Sequence, residues 1–171
     1  MSCSNLTAGI PLDCLGSEGG IEKVFIANGP VESITETAGG ISAITGGGSA
    51  LTPSDFFAFG TPKQSSVLTE TPAISQENGT ISYQQDLVLV MNKLDAAKRN
   101  QILLMAEANQ MVVVAKDNNG LYWSIGVERG GFLSAATATS GTAFADRSGY
   151  ELTLSGLEPK PMFAVDSAIV E

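Results

Sequence analysis

Several places in this 171-residue chain bring together residue types that do chemistry. Asp117-Asn118-Asn119-Gly120, with Glu128 eleven positions after the aspartate, has the composition of a calcium loop. Such a loop needs glycine at its sixth position and oxygen ligands at alternate positions before it. Here the glycine is fourth, and Leu121 and Tyr122 occupy the fifth and sixth places. The segment therefore reads as a hairpin turn. Gly46-Gly47-Gly48 has the glycine density of a phosphate loop, without the Gly-Lys-Ser/Thr ending or a following helix. Asp146-Arg147-Ser148-Gly149 sets a carboxylate beside a guanidinium, but that order before glycine is ordinary turn chemistry. Cys3 and Cys14 are the two cysteines. With only Met1-Ser2 ahead of Cys3, both are expected as reduced thiols in a cytoplasm.

The chain has no histidine. That removes Ser-His-Asp and Cys-His catalysis, most zinc sites and the commonest general base at neutral pH. The expectation is a protein that is not an enzyme, with no cofactor, metal or catalytic residue. Aromatic residues remain as candidate contact points. Trp123 shares a strand face with Leu121 and Ile125, which is the pattern of a core position. As an exposed platform with Tyr122 and Phe56, it would instead suit a carbohydrate-binding β-sandwich. Phe56-Phe57-Ala58-Phe59, after Pro53, is either a core strand or an exposed interface anchor.

Residues 1–20, rich in Ser and Gly, read as an irregular arm, and 21–171 as a single domain. A first strand covers 21–27 and ends at Asn28-Gly29-Pro30. Residues 31–52 give a short strand pair broken by Gly39-Gly40. From about Ser65 to Met91 the pattern alternates. Ile81, Tyr83, Gln85, Leu87, Leu89 and Met91 share one face, and Ser82, Gln84 and Asp86 lie on the other. Asn78-Gly79 suits the positive-φ positions of a turn, so a long hairpin is predicted, its polar tip projecting beyond the core. A helix follows over 96–108, capped by Asp95, with Ile102 to Met105 buried. Strands at 111–116 and 121–126, then at roughly 131–139 and 149–155, complete the chain. The fold class is mainly β: a β-sandwich or small barrel with one flanking α-helix and a long projecting β-hairpin.

A long hairpin that cannot bury its own faces wants a neighbour. The expected oligomer interface is Asn78, Gly79, Ile81, Tyr83, Gln85 and Leu87, with Phe56 and Phe57. Charged residues make up 16% of the chain, below the roughly 25% usual in soluble domains. A sparsely charged surface is one that partners cover. The net charge of −9 and the lack of any basic cluster exclude specific nucleic-acid binding. No stretch approaches the roughly 20 apolar residues of a membrane span.

Ser2-Cys3-Ser4-Asn5, Gly9-Ile10 and Asp13-Cys14, leading into Gly19-Gly20-Ile21-Glu22-Lys23-Val24-Phe25-Ile26-Ala27-Asn28, resemble virion structural proteins of phages that infect Bacteroides-type bacteria. Tyr83-Gln84-Gln85-Asp86, Asn92-Lys93-Leu94 and Lys98-Arg99-Asn100 fit the same group. Gly141-Thr142-Ala143-Phe144-Ala145-Asp146-Arg147-Ser148-Gly149-Tyr150-Glu151-Leu152-Thr153-Leu154, with Glu158-Pro159, is similar to the closing strands of phage tail tube proteins. The resemblance touches both ends and the middle and is weakest across 29–75. It implies a homohexameric ring, stacked into a tube with other tail proteins, assembled in the host cytoplasm and located in the virion tail. Double-stranded DNA would pass through it without specific binding. A tail terminator, neck or head-decoration protein is the alternative within the same class.

Overall fold

The structure is a computed structural model and describes residues 8–12, 16–38 and 40–171. Cys3, Cys14, Gly39 and much of the expected arm lie outside the described residues. In chain order the strands open with β1 (Ile21–Asn28), β2 (Val31–Thr37), β3 (Gly40–Gly46) and β4 (Ser49–Ala50). After a single 3-10 turn at Pro53–Asp55 come β5 (Phe57–Gly60), β6 (Val67–Ser75) and β7 (Thr80–Asn92). The helix α1 (Ala96–Glu107) precedes β8 (Met111–Asp117) and β9 (Tyr122–Ile125). Next are β10 (Gly131–Thr139), β11 (Gly149–Glu158) and β12 (Ala164–Val165), and a last 3-10 turn spans Ser167–Ile169. The described residues are mainly β, with one helix and a large mixed sheet.

The sheet runs β2-β3-β12-β9-β8-β10-β11-β7-β6, with β1 joining β8 to β5 and β4 joining β3. All its pairings are antiparallel except β12 with β3. One bridge, Gly131 to Met111, links β8 to β10. The strands on either side of that bridge contribute to one apolar cluster. Val24, Ile26, Val113, Ala115 and Ile125 come from one side, and Leu87, Leu89, Met91, Leu152 and Leu154 from the other. The alternate residues of β1 and β8, Phe25, Ala27, Val112 and Val114, enter a second cluster with Ile41, Ile44, Phe163, Val165 and Ile169. Strands buried on both faces explain the unbroken apolar runs Val24–Ala27 and Met111–Ala115.

The strand predictions hold closely over β1, β8, β9 and β10, and α1 starts after Asp95 as expected. Three details differ. Asp95 takes the extended backbone of an N-cap, yet its side chain makes no capping bond. Leu103 and Leu104 of α1 are exposed, and only Met105 is fully buried, with Ile102 half-buried. A helix lying on a sheet buries one stripe, and the consecutive positions 102–105 turn through nearly a full revolution. The hairpin loop spans residues 76–79 with Gly79 alone at positive φ, because Ser75 and Thr80 close the ladder.

A candidate assembly surface

The hairpin's inner face is defined by register. Leu68 lies opposite Leu87, Glu70 opposite Gln85, Pro72 opposite Tyr83 and Ile74 opposite Ile81. Directly opposite residues share a face, so the row that fills the core at Leu87 continues unbroken to Ile74 and Ile81. Burial falls steadily along it: Leu87 is 0% exposed, Gln85 2%, Ile81 58% and Ile74 65%. Strand β11 runs beside β7 from Gly149 opposite Asn92 as far as Glu158 opposite Tyr83. The projection is therefore confined to the last turn of the hairpin, Ile74–Ser82, where no third strand supports the pair.

Among the expected interface residues, the structure leaves Asn78, Gly79, Ile81 and Phe57 exposed and Tyr83 half-buried. It corrects three others. Leu87 belongs to the first cluster and Phe56 to the second, so both are core residues. Gln85 is buried because the chain itself satisfies its amide: Oε1 accepts from Gly126 N at 3.2 Å, and Nε2 donates to Glu70 Oε2 at 3.3 Å. Period-2 alternation put Gln85 and Leu87 on the right face but could not show how far along it the core reached, and Phe56 takes the core alternative of its aromatic run. Phe57 lies on β5, next to β1, and is 58% exposed. Leu157, 56% exposed near the hairpin tip, went unnoticed in the sequence.

The outer edge of β6 bonds to no other strand among the described residues. Pro72 sits within it, lacks an N–H and blunts strand addition. The surface left open at the hairpin tip is thus its apolar face rather than a free strand edge.

The Asp117–Gly120 turn between β8 and β9 has a definite role. Asn119 Oδ1 accepts from Glu18 N at 2.7 Å, and Asn119 Nδ2 donates to Glu18 O at 2.8 Å. Asn118 Nδ2 donates to Gly19 O at 2.6 Å. The two amides grip the arm as a strand would. Asp117 accepts from Leu121 N at 2.8 Å and from Trp123 Nε1 at 3.4 Å, so its carboxylate organises the turn itself.

Trp123 is half-buried rather than core, and Leu121 beside it is 52% exposed. It lines an open, mostly apolar hollow of about 300 Å³ with Ile21, Val67, Leu68 and Met162. Tyr122 and Phe56 cannot serve as surface platforms, since both are buried in the second cluster. The Tyr122 hydroxyl donates to Glu171 Oε2 at 2.8 Å, and burial pushes that hydroxyl's pKa up.

Glu158, at the end of β11 near the hairpin tip, is 3% exposed. Its Oε1 accepts from Arg129 N at 3.0 Å, while Oε2 has no hydrogen-bond partner among the described residues. Burial raises its carboxyl above the ordinary range, against the backbone N–H groups of Arg129 and Glu128. The folded state therefore holds this proton more tightly than the unfolded chain does. Its contribution to stability is full below the unfolded value of about 4.3 and is lost as pH rises through the raised folded value. Urea unfolding between about pH 4 and 8 should show wild type losing stability relative to Glu158→Gln as pH rises. Parallel profiles for the two proteins would refute this.

Comparison with protein-family models, with curated proteins and with solved structures finds no match. Among the described residues no helix is long and apolar enough to cross a membrane.

Proposed function

We propose that this chain is a structural virion protein, the subunit of a phage tail tube, which oligomerises into stacked rings and performs no chemistry. The observation that carries the reading is the core face of the hairpin running out of its own core. Ile74 and Ile81, paired across β6 and β7, are both more than half exposed. Such a face is stabilised only when something covers it, and a second copy is the partner always present. The amino-terminal segment's resemblance to phage virion proteins supports the class, and within it the tail-tube resemblance of residues 141–154 with Glu158-Pro159 favours a tube. A net charge of −9 suits a channel that must not retain DNA. In this reading the strands on either side of the Gly131–Met111 bridge form a β-sandwich, and the hairpin closes the ring. The protein would be assembled in the host cytoplasm and end in the virion tail.

Negative-stain electron microscopy of the purified chain over a range of concentrations tests this. Long tubes of stacked rings are expected. Single rings would instead assign a terminator or neck role, and monomers at every concentration would overturn self-assembly.

A further inference from the structure

The arm enters the body at a fixed place. Asn119 pairs with both backbone groups of Glu18, Asn118 Nδ2 holds Gly19 O, and the Asn118 N–H donates to Gly20 O at 3.2 Å. The residues so gripped, Glu18 to Gly20, form with Ile21 one wall of the hollow beside Trp123. Val67, Leu68 and Met162 supply the rest of its apolar lining, and Val67 is 52% exposed. The same chain carries an unmatched apolar segment. Ala8-Gly9-Ile10-Pro11-Leu12 has no charged residue, and Ile10 and Leu12 are 96% and 100% exposed. Neither side chain occupies the chain's own hollow.

We propose that the hollow beside Trp123 receives Ile10 or Leu12 from the arm of a second copy. The inference rests on the reading that copies of this chain assemble, but not on the assembly being a tube. An uncharged aliphatic segment matches an aliphatic and indole lining, and Pro11 limits the backbone freedom lost on docking. The peg and the hole are different surfaces of one chain, so the contact is head-to-tail and joins copies into a ring or a filament. The hole also depends on its owner's arm, because Glu18–Ile21 wall it. A copy with its arm clamped is thereby ready to take the next.

Trp123 is the only tryptophan, so its emission reports on the hollow directly. A synthetic peptide of residues 6–12, titrated into the full chain, should shift that emission to shorter wavelength and saturate. The peptide carrying Ile10→Asp and Leu12→Asp, and a full chain carrying Val67→Asp, should each bind about tenfold more weakly or worse. In the full chain, Ile10→Asp with Leu12→Asp should weaken assembly by a similar factor while leaving the melting temperature of the dilute, unassembled chain unchanged, since both positions are exposed there. A silent peptide together with wild-type assembly by the double variant overturns the arm contact and leaves the tube reading standing. A chain that binds the peptide yet never assembles supports the hollow and overturns the tube. An oligosaccharide that shifts the emission where the peptide does not would make the hollow a carbohydrate site and overturn the proposal.

Discussion

Under the proposed assembly, the double variant Ile74→Asp/Ile81→Asp is expected to fold as wild type does and to stay monomeric at concentrations where wild type would form rings. Both side chains are more than half exposed, so no core contact is lost. Two carboxylates directly opposite across the strands cost the monomer only about 0.2–1 kcal/mol. Covered by a neighbour, the same carboxylates would be unpaired and desolvated, at several kcal/mol each. The association constant should therefore fall by about three orders of magnitude or more. Sedimentation velocity reads assembly, and circular dichroism with thermal melting reads the fold. Rings of unchanged stability would remove the hairpin tip from the interface. Loss of the fold would show that Ile74 and Ile81 support the monomer, contrary to their exposure.

Gly126→Ala is expected to be among the most damaging single substitutions in the chain. Gly126 ends β9 at a φ of 67°, and its N–H donates to the buried Gln85. A Cβ there would lie 2.1 Å from Gly131 N and 2.5 Å from Gly131 Cα, backbone atoms that start β10. The left-handed conformation costs an L-residue about 1–2 kcal/mol, and forced overpacking about 1–3 more. A loss of about 3 kcal/mol or greater is a large share of the 5–15 kcal/mol that holds a typical domain together. Gly79→Ala is the control. Its φ is 63°, yet a Cβ would meet nothing within 4 Å, so conformational strain alone should cost about 1 kcal/mol. Urea midpoints for the two variants separate strain from collision. Equal losses would refute the close approach of the two glycine segments.

The sequence carried most of the strands because their signals are local. The turn residues Asn118-Asn119-Gly120 and Asn28-Gly29-Pro30 and the alternation from Ile81 to Met91 act within a few positions. What depended on layers was harder to see. Phe56 and Phe57 are neighbours of one type, and only the strand packed above them decides which is buried. Gln85 looks like a surface residue until Gly126 and Glu70 are placed beside it. Trp123 keeps a core pattern, but the hollow at Val67 and Met162 leaves it half open. Strand β12 gave no local sign, since two residues cannot show a period. The candidate surface was legible in part. The hairpin and its tip could be found from spacing, whereas the point where the core ends between Gln85 and Ile81 could not.

The position of β12 also sets an order in time. The hairpin of β2 and β3 reaches the rest of the sheet through β12, which lies between β3 and β9. The strand pairing that joins β3 to the sheet therefore waits for residues 164–165, which lie 124 positions after their partners Gly40 and Ile41. Pairings of such long separation form slowly, after local hairpins such as β6–β7 and β8–β9. On the ribosome the hairpin that offers Ile74 and Ile81 is made long before the strand that completes the subunit. The protein therefore passes through an interval in which its sticky tip exists and its sheet is unfinished. Under the proposed assembly, early encounters between nascent copies would trap incomplete subunits, so the timing of β12 insertion would govern how cleanly copies assemble.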